Sequence, residues 1–254
     1  MSPAVATDTM ADIPTLADPE IHDFKPVDSN PKLIPDESTV VSDGVVQTAT
    51  PTRPSTSASS PIFSANSLTV NRLDSWKFMS FGDPLHQYNL TDESGGFVGY
   101  AKEKEKKKLA RVFKGGDRGY TIQVFDATNT VVMTVTKVGN GLVDVHVTDS
   151  TGHLTKVGRA KKVWQMLKRN FALSCEGTPF GLITTKNTSD VYPVINPETG
   201  ALLAKITAEP TDRFFSNEVT YTVSWEPTLA DIARRAVVLA CMLAIDFEYY
   251  TSKD

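Results

Sequence analysis

The highest density of charge lies between residues 102 and 111, where lysines recur at every second position. On a β-strand, alternate side chains share one face, so the lysines at 102, 104, 106 and 108 would form one row of ammonium groups. Such a row suits phosphates and anionic lipid headgroups, because each base near an acidic membrane surface contributes about 1 kcal/mol. The interleaved Glu103 and Glu105 favour the alternative, a solvated edge strand that its lysines protect from aggregation. The candidate lipid-binding residues of this run are Lys102, Lys104, Lys106, Lys107, Lys108 and Arg111.

A second basic group surrounds Trp164 and Met166. An indole ring among bases is typical of a membrane interface, where the ring lies at the level of the headgroups and the bases meet phosphates. The same composition suits nucleic acid, which is the less favoured partner. A further interpretation is a long connection between strands, with Trp164 packed onto the domain. The candidate lipid-binding residues of this group are Arg159, Lys161, Lys162, Trp164, Lys168 and Arg169.

Motifs for catalysis are scarce in this sequence. It contains no GxSxG, HExxH, P-loop or GxGxxG motif, and its four histidines fit no known spacing for a metal site or a catalytic triad. Asp144 and His146 lie two residues apart on a predicted strand, with no nucleophile near them, and are interpreted as part of an ordinary cross-strand polar pair. Cys175 and Cys241 lie in apolar surroundings, which argues against a disulfide framework or a zinc site. We therefore expect no enzyme, no metal and no other cofactor.

Short strands must position these residues. From about Leu68 onward, runs rich in Val, Ile, Thr, Phe and Tyr alternate with turns of Gly, Asn and Asp, which is typical of an antiparallel sandwich or barrel. In the three hairpins that begin near Ile122, Val143 and Tyr192, Asp or Asn opens the turn, because its side chain caps the backbone, and Gly often closes it. Five hairpins and two flanking strands, 68–73 and 218–225, give about twelve strands. The hairpins begin near Tyr88, Ile122, Val143, Phe171 and Tyr192.

One strong helix is predicted over about residues 228–250, with Pro227 opening it and Asp231 in its first turns. Its apolar core has about half the length that a bilayer crossing needs. A helix that is apolar on every face must be enclosed by protein or by lipid. We expect it inside the barrel, and insertion into a membrane is the alternative. The core residues are Ala236, Val237, Val238, Leu239, Ala240, Cys241, Met242, Leu243, Ala244 and Ile245.

The N-terminal part of the chain has a different composition. Residues 1–60 hold eight of the fifteen prolines and nine acidic side chains against three basic ones, a composition that cannot repay the entropy of ordering. It predicts a disordered, acidic tail rich in Pro, Ser and Thr over residues 1–62, which serves as a spacer, a phosphorylation target or a docking segment for a protein partner. The chain starts without a basic stretch followed by an apolar run, so we expect a cytoplasmic protein.

The segment 236–250, AVVLACMLAIDFEYY, resembles the end of the phospholipid scramblase family, which belongs to the tubby-like superfamily together with the LURP-one-related proteins. GYAKEKE from Gly99 and LARVFKGGDRGYTIQVFD from Leu109 are similar to the early hairpins of that family. VGRA from Val157, NFAL from Asn170 and GALLAKI from Gly200 are similar to its later hairpins. The resemblance implies that residues 65–252 form a mainly β domain, a tubby-like closed antiparallel barrel of about twelve strands around a single C-terminal core helix. It also implies lipid association.

The chain departs from the animal scramblases in two respects. Those proteins are described with a Cys-rich palmitoylated stretch and with an acidic calcium-binding segment just before the helix. This chain has no cluster of cysteines, and its segment 216–225 offers one carboxylate, Glu218. Calcium prefers six to eight oxygen ligands, usually several of them carboxylates. We therefore expect neither calcium dependence nor a palmitate anchor.

These features together predict a non-enzymatic protein of the scramblase family. We expect it to bind anionic phospholipid at a membrane surface, as a peripheral protein on the inner face of the plasma membrane. Movement of lipid between leaflets would also require the helix to leave the barrel or an oligomer to thin the bilayer, because ten apolar residues do not cross about 30 Å. The alternative is a soluble tubby-like scaffold that binds protein and has no membrane role.

Overall fold

Turns opened by Asp or Asn close four of the five predicted hairpins. The protein is described by a computed structural model that covers residues 60–73, 85–104, 119–210 and 218–250. Oδ1 of Asp126 accepts the backbone N–H groups of Thr128 and Thr130, each at 2.9 Å. Asp149 accepts two backbone N–H groups of its own turn in the same way, at 2.8 and 3.0 Å. These bonds close the turns locally, and all five predicted hairpins form.

The twelve strands form one closed antiparallel barrel. Each strand pairs with its neighbours in sequence, and the first strand also pairs with the last. The prediction of a mainly β, closed antiparallel barrel of about twelve strands is therefore confirmed. The strands are β1 (Ser67–Leu73), β2 (Gln87–Asp92), β3 (Phe97–Glu103), β4 (Thr121–Asp126), β5 (Val131–Gly139), β6 (Leu142–Thr148), β7 (Leu154–Gln165), β8 (Lys168–Cys175), β9 (Thr178–Lys186), β10 (Val191–Ile195), β11 (Leu202–Pro210) and β12 (Val219–Trp225).

The C-terminal helix lies inside the barrel, with all ten residues of its predicted apolar core buried. It begins later than predicted: α2 spans Ile232–Ile245, because Asp231 caps it by accepting the backbone N–H groups of Ala233 and Arg234 at 2.8 and 3.4 Å. A π-helical turn, Asp246–Tyr250, continues it. The free thiols of Cys175 and Cys241 are buried, as expected.

Gly158 on β7 allows the helix to lie directly against the barrel wall. A Cβ atom at this position would lie 2.6 Å from Cγ2 of Val237 and 2.4 Å from the carbonyl oxygen of Ser174. Both distances are shorter than real Cβ contacts, so only glycine fits between the helix and the neighbouring strand. Strand β7 is therefore a wall against which the helix packs closely.

Residues 60–62, which were predicted to lie in the tail, belong to the folded domain. The one-turn helix α1 spans Pro61–Ser64, and Ile62 and Phe63 are buried in the core. Arg235 of α2 holds this segment, because Nη1 donates to the carbonyl oxygens of Phe63 and Ala65 at 2.8 and 3.0 Å. The apolar side chains at 62 and 63 complete the core, so the domain begins several residues before the predicted boundary at 65.

The described residues all fall within the unit that spans 51–254. The prediction of a tail over residues 1–59 lies outside them and stays a prediction. Within the described part of the chain, no helix combines the length and the hydropathy that a membrane crossing requires.

Candidate functional site

The central helix ends at the end of the barrel where β1 finishes and where the turn between β7 and β8 lies. We call this the exit end. Arg72 near the end of β1 contacts Asp246, and Lys162 near the end of β7 contacts Glu248. Several strands and the π-helical turn therefore bring charged and aromatic side chains together at one place. Most of the candidate residues described by the structure lie at or near it.

Asp246 is fully buried at the exit end. Its carboxylate accepts hydrogen bonds from Nη1 of Arg72 at 2.7 Å, from the hydroxyl of Tyr88 at 2.7 Å and from the hydroxyl of Tyr221 at 2.6 Å. Burial, reinforced by the neighbouring Asp246, raises the pKa of both phenols well above the usual value, so they remain hydrogen-bond donors. A buried carboxylate is tolerated only with such partners. The cluster ties the end of the helix to strands β1, β2 and β12.

Glu248 joins the π-helical turn to two further strands. Its carboxylate oxygens lie 2.7 Å from Nζ of Lys137 on β5 and 2.6 Å from Nζ of Lys162 on β7. Burial alone would raise the pKa of Glu248, but the hydrogen bonds and charges of the two lysines lower it below its ordinary value. Lys162, a predicted lipid-binding residue, is therefore committed to an internal ion pair.

Arg169 also faces inward. Its guanidinium lies 4.4 Å from the ring centroid of Tyr249 and donates to the hydroxyl of Tyr192. Burial raises the pKa of Tyr249 to about 12, so the ring under Arg169 is a neutral phenol at neutral pH. The hydroxyl of Tyr250 lies 2.5 Å from the carboxylate of Asp190, before β10. Successive residues of the π-helical turn thus contact different sectors of the barrel.

Four predicted cations remain on the solvent side. Lys161, Lys168, Lys102 and Lys104 are exposed and form no ion pair with any described residue. Arg159 is exposed as well, but its Nε lies 2.9 Å from the carboxylate of Asp144. Nζ of Lys156 lies 2.6 Å from the same carboxylate, so the cross-strand partners of Asp144 are two bases of β7 rather than the predicted His146.

In the part of the first basic run that the structure describes, residues 102–104, the edge-strand interpretation is wrong; the rest of the run lies outside the described residues. Strand β3 pairs with β2 on one side and β4 on the other, so its backbone is not exposed at an edge. Lys102 and Lys104 do lie on one face, and Glu103 between them is buried. The predicted residues Lys106, Lys107, Lys108 and Arg111 lie outside the described residues.

The second basic group is a tight hairpin rather than a long connection. Gln165 pairs with Lys168, so only Met166 and Leu167 form the turn. Trp164 is 82% exposed, Met166 71% and Leu167 75%, and Trp164 is therefore not packed onto the domain. We call these three residues the apolar tip. Leu167 has φ of 61°, a left-handed conformation that is a rare outlier for a bulky side chain.

The chain was also compared with models of known protein families. The model of the scramblase family matches residues 60–252. The chain belongs to the scramblase family. No curated protein and no solved structure matches it. Membership implies an interaction with lipid or membrane, and the family is not one of enzymes.

For this scramblase-family protein, the residues that the structure describes contain no group of three or more His, Cys, Asp or Glu side chains arranged to hold a metal ion. Glu218, the single carboxylate of segment 216–225, which corresponds in position to the calcium-binding segment of the animal scramblases, comes just before β12 and is exposed.

Two parts of the exit end of this scramblase-family protein were not predicted from the sequence. The π-helical turn was included in the helix, although its sequence, DFEYY, changes from apolar to polar and aromatic directly after the core run. Leu167 was not singled out, although an apolar dipeptide within a basic segment is a signal for an exposed apolar turn. Both signals are short, and neither shows which strands the side chains reach.

Proposed function

We propose that this scramblase-family protein binds the anionic surface of a phospholipid membrane through the exit end of its barrel. The observation that carries the proposal is the combination, on one hairpin, of unpaired exposed lysines with an exposed tryptophan. Lys161 and Lys168 flank Trp164 in sequence and form no ion pair with described residues. Such a combination matches a membrane interface, where the indole lies among headgroups and the ammonium groups meet phosphates.

Lys102 and Lys104 extend the proposed surface. They lie at the end of β3, which is at the same end of the barrel as the β7–β8 hairpin. Each exposed base near an acidic bilayer contributes about 1 kcal/mol, so four lysines supply useful affinity without a deep pocket. Lys106, Lys107, Lys108 and Arg111 belong to the proposal on their sequence alone. The inner face of the plasma membrane, rich in anionic lipid, is the surface that we propose.

Lys162, Arg169 and Arg159 have a different role in this proposal. Their charges are engaged by Glu248, by tyrosine rings and hydroxyls, and by Asp144, respectively. A cation that is already paired gains less from a phosphate than a solvated one does. We therefore assign Lys162 and Arg169 to holding the helix end and the hairpin in place, and Arg159 to a cross-strand ion pair.

Flotation of the full-length chain with liposomes tests the proposal. We expect flotation with vesicles that contain phosphatidylserine, weaker flotation with neutral vesicles, and loss at high salt because the attraction is screened. Lys161→Gln/Lys168→Gln should weaken binding by about 2 kcal/mol, or roughly thirtyfold. The matched control is Lys205→Gln, an exposed lysine on β11 that forms no ion pair with described residues.

The absence of flotation at low salt would contradict membrane binding and would favour the protein-interaction scaffold instead. Equal effects of the Lys161/Lys168 and Lys205 variants would contradict the site but not the membrane binding. Movement of lipid between leaflets, the finer part of the proposal, is tested separately by dithionite quenching of labelled lipid in vesicles that contain the protein. A rate equal to that of protein-free vesicles would reject it.

A further inference from the structure

The apolar tip is the most exposed apolar feature among the described residues at the exit end. Its three side chains are each more than two-thirds exposed, and they are adjacent or nearly adjacent in sequence. An exposed apolar cluster with a polar rim is typical of an interaction surface. Lys161 and Lys168 provide such a rim, since both are exposed beside the tip.

The tip extends beyond the part of the hairpin that contacts the helix end. Lys162 is a residue of β7 whose side chain reaches Glu248, and Met166 follows four residues later. At about 3.3 Å per residue, on a strand tilted by about 40° to the barrel axis, the tip extends roughly 10 Å farther along that axis. The headgroup region of one leaflet is roughly 5 to 8 Å deep. The turn therefore has the reach to pass the headgroups.

The hairpin below the tip is held firmly. Lys162 is paired with Glu248, and Arg169, directly opposite Trp164, contacts Tyr249 and Tyr192. The carbonyl oxygen of Leu167 accepts the backbone N–H of Asn187 at 3.3 Å. A surface that is ordered before binding loses less conformational entropy on binding. The tip is therefore presented in a fixed direction, away from the barrel.

We propose that the apolar tip inserts into the bilayer, with Met166 and Leu167 below the headgroups, Trp164 at their level, and Lys161 and Lys168 against the phosphates. This inference rests on the proposed function and adds to it a depth and an orientation, because the exit end then faces the membrane and the opposite end faces away. Lipid is the occupant that the charges favour, since bases beside a short apolar turn match a headgroup layer over acyl chains.

Depth-dependent quenching tests the insertion directly. An environment-sensitive NBD dye is attached at Met166→Cys or, as a control, at Phe97→Cys in the full-length chain. Phe97 is 53% exposed and starts β3 at the opposite end of the barrel. The native Cys175 and Cys241 are buried, and the chain without an added cysteine measures any labelling of them. With phosphatidylserine vesicles, lipids brominated in their acyl chains should quench the dye at 166 and not at 97.

A second measurement reports the contribution to affinity. Met166→Ser/Leu167→Ser should weaken vesicle binding by about tenfold for each side chain, since burial of a large apolar side chain is equivalent to at least that factor. Phe97→Ser should leave binding unchanged, and circular dichroism confirms that each variant is folded. Flotation of the parent chain without quenching at 166, or with equal quenching at 166 and 97, would overturn the insertion and leave the proposed function standing. No flotation of the parent chain would overturn both.

Discussion

Asp246 lies where the central helix ends and where the first and last strands of the barrel meet. Its three partners come from β1, β2 and β12, so one carboxylate connects the closure of the sheet to the helix inside it. An unpaired carboxylate in this position would cost several kcal/mol. The guanidinium and the two phenols compensate that cost, and the geometry of the site depends on all of them.

The ion pairs of Glu248 give the protein a pH dependence at the residue scale. Because the pKa of Glu248 is lowered from 4.5 in the folded state, its contribution to stability is fully present above about pH 4.5 and is lost as the pH falls through the lower folded value. Glu248→Gln should lower the free energy of unfolding at pH 7 by about 1 to 3 kcal/mol, since two partly buried lysines lose their partner. Urea unfolding between pH 7 and pH 3 measures the difference.

The difference between the parent and Glu248→Gln should shrink as the pH falls below 4.5 and through the lowered pKa of Glu248 in the folded state, where the native carboxyl becomes protonated and neutral like the amide. Glu209→Gln is the matched control, because Glu209 is exposed on β11 at the same end of the barrel. A difference that stays constant down to pH 3 would show that packing, rather than charge, explains the effect.

Strand β7 has two structural roles, one at its contact with the helix and one at its end. Gly158 in its middle allows the close approach of α2, and its end carries Lys162 and Trp164. The strand therefore positions the candidate membrane surface relative to the helix. This arrangement predicts that a change at the helix contact affects the whole barrel rather than the hairpin alone.

Gly158→Val should destabilise the domain strongly. The added side chain would meet Val237 of the helix and the backbone of β8, and we expect a loss near the upper end of the about 1 to 3 kcal/mol typical of overpacked cores. Thermal unfolding followed by circular dichroism measures it. Ala172→Val on the outer face of β8 is the control and should have little effect. Equal effects of the two variants would contradict the close helix contact.

Across the whole molecule, some basic side chains pair inside the barrel and others face solvent. This division determines how salt and metal ions should affect membrane binding. The inward-facing cations at the exit end have protein partners, whereas Lys161 and Lys168 face solvent. Binding through such lysines is an attraction to the net charge of a surface. It requires an acidic bilayer and low to moderate salt, and it requires no bridging metal.

Calcium should therefore be dispensable for membrane binding. Flotation with phosphatidylserine vesicles should be equal in EGTA and in calcium, apart from the weakening that calcium causes by screening the anionic lipid. A magnesium arm at equal concentration controls for that screening. Flotation that requires calcium and is not supported by magnesium would show a specific site that the described carboxylates do not account for.

Much of the fold could be predicted because its signals are local. Asp126 and Asp149 close their turns with bonds to residues two and four positions ahead, and alternating apolar residues set the inner face of each strand. The hairpin at Met166 and Leu167 was harder to predict, because it has neither Gly nor Asn at the left-handed position. The stable strands on either side hold Leu167 in a conformation that its side chain disfavours.

The sequence by itself determined the strands, the apolar helix and the family resemblance, since these depend on turn chemistry, on periodicity and on an ordered set of motifs. The sequence also identified the two basic regions, near Lys102 and near Trp164. Only the tertiary structure decided which bases face solvent, because that depends on partners far away in sequence, such as Glu248 for Lys162 and Tyr249 for Arg169. Closure of the barrel brings these residues together, and the candidate surface consists of the bases that closure leaves unpaired.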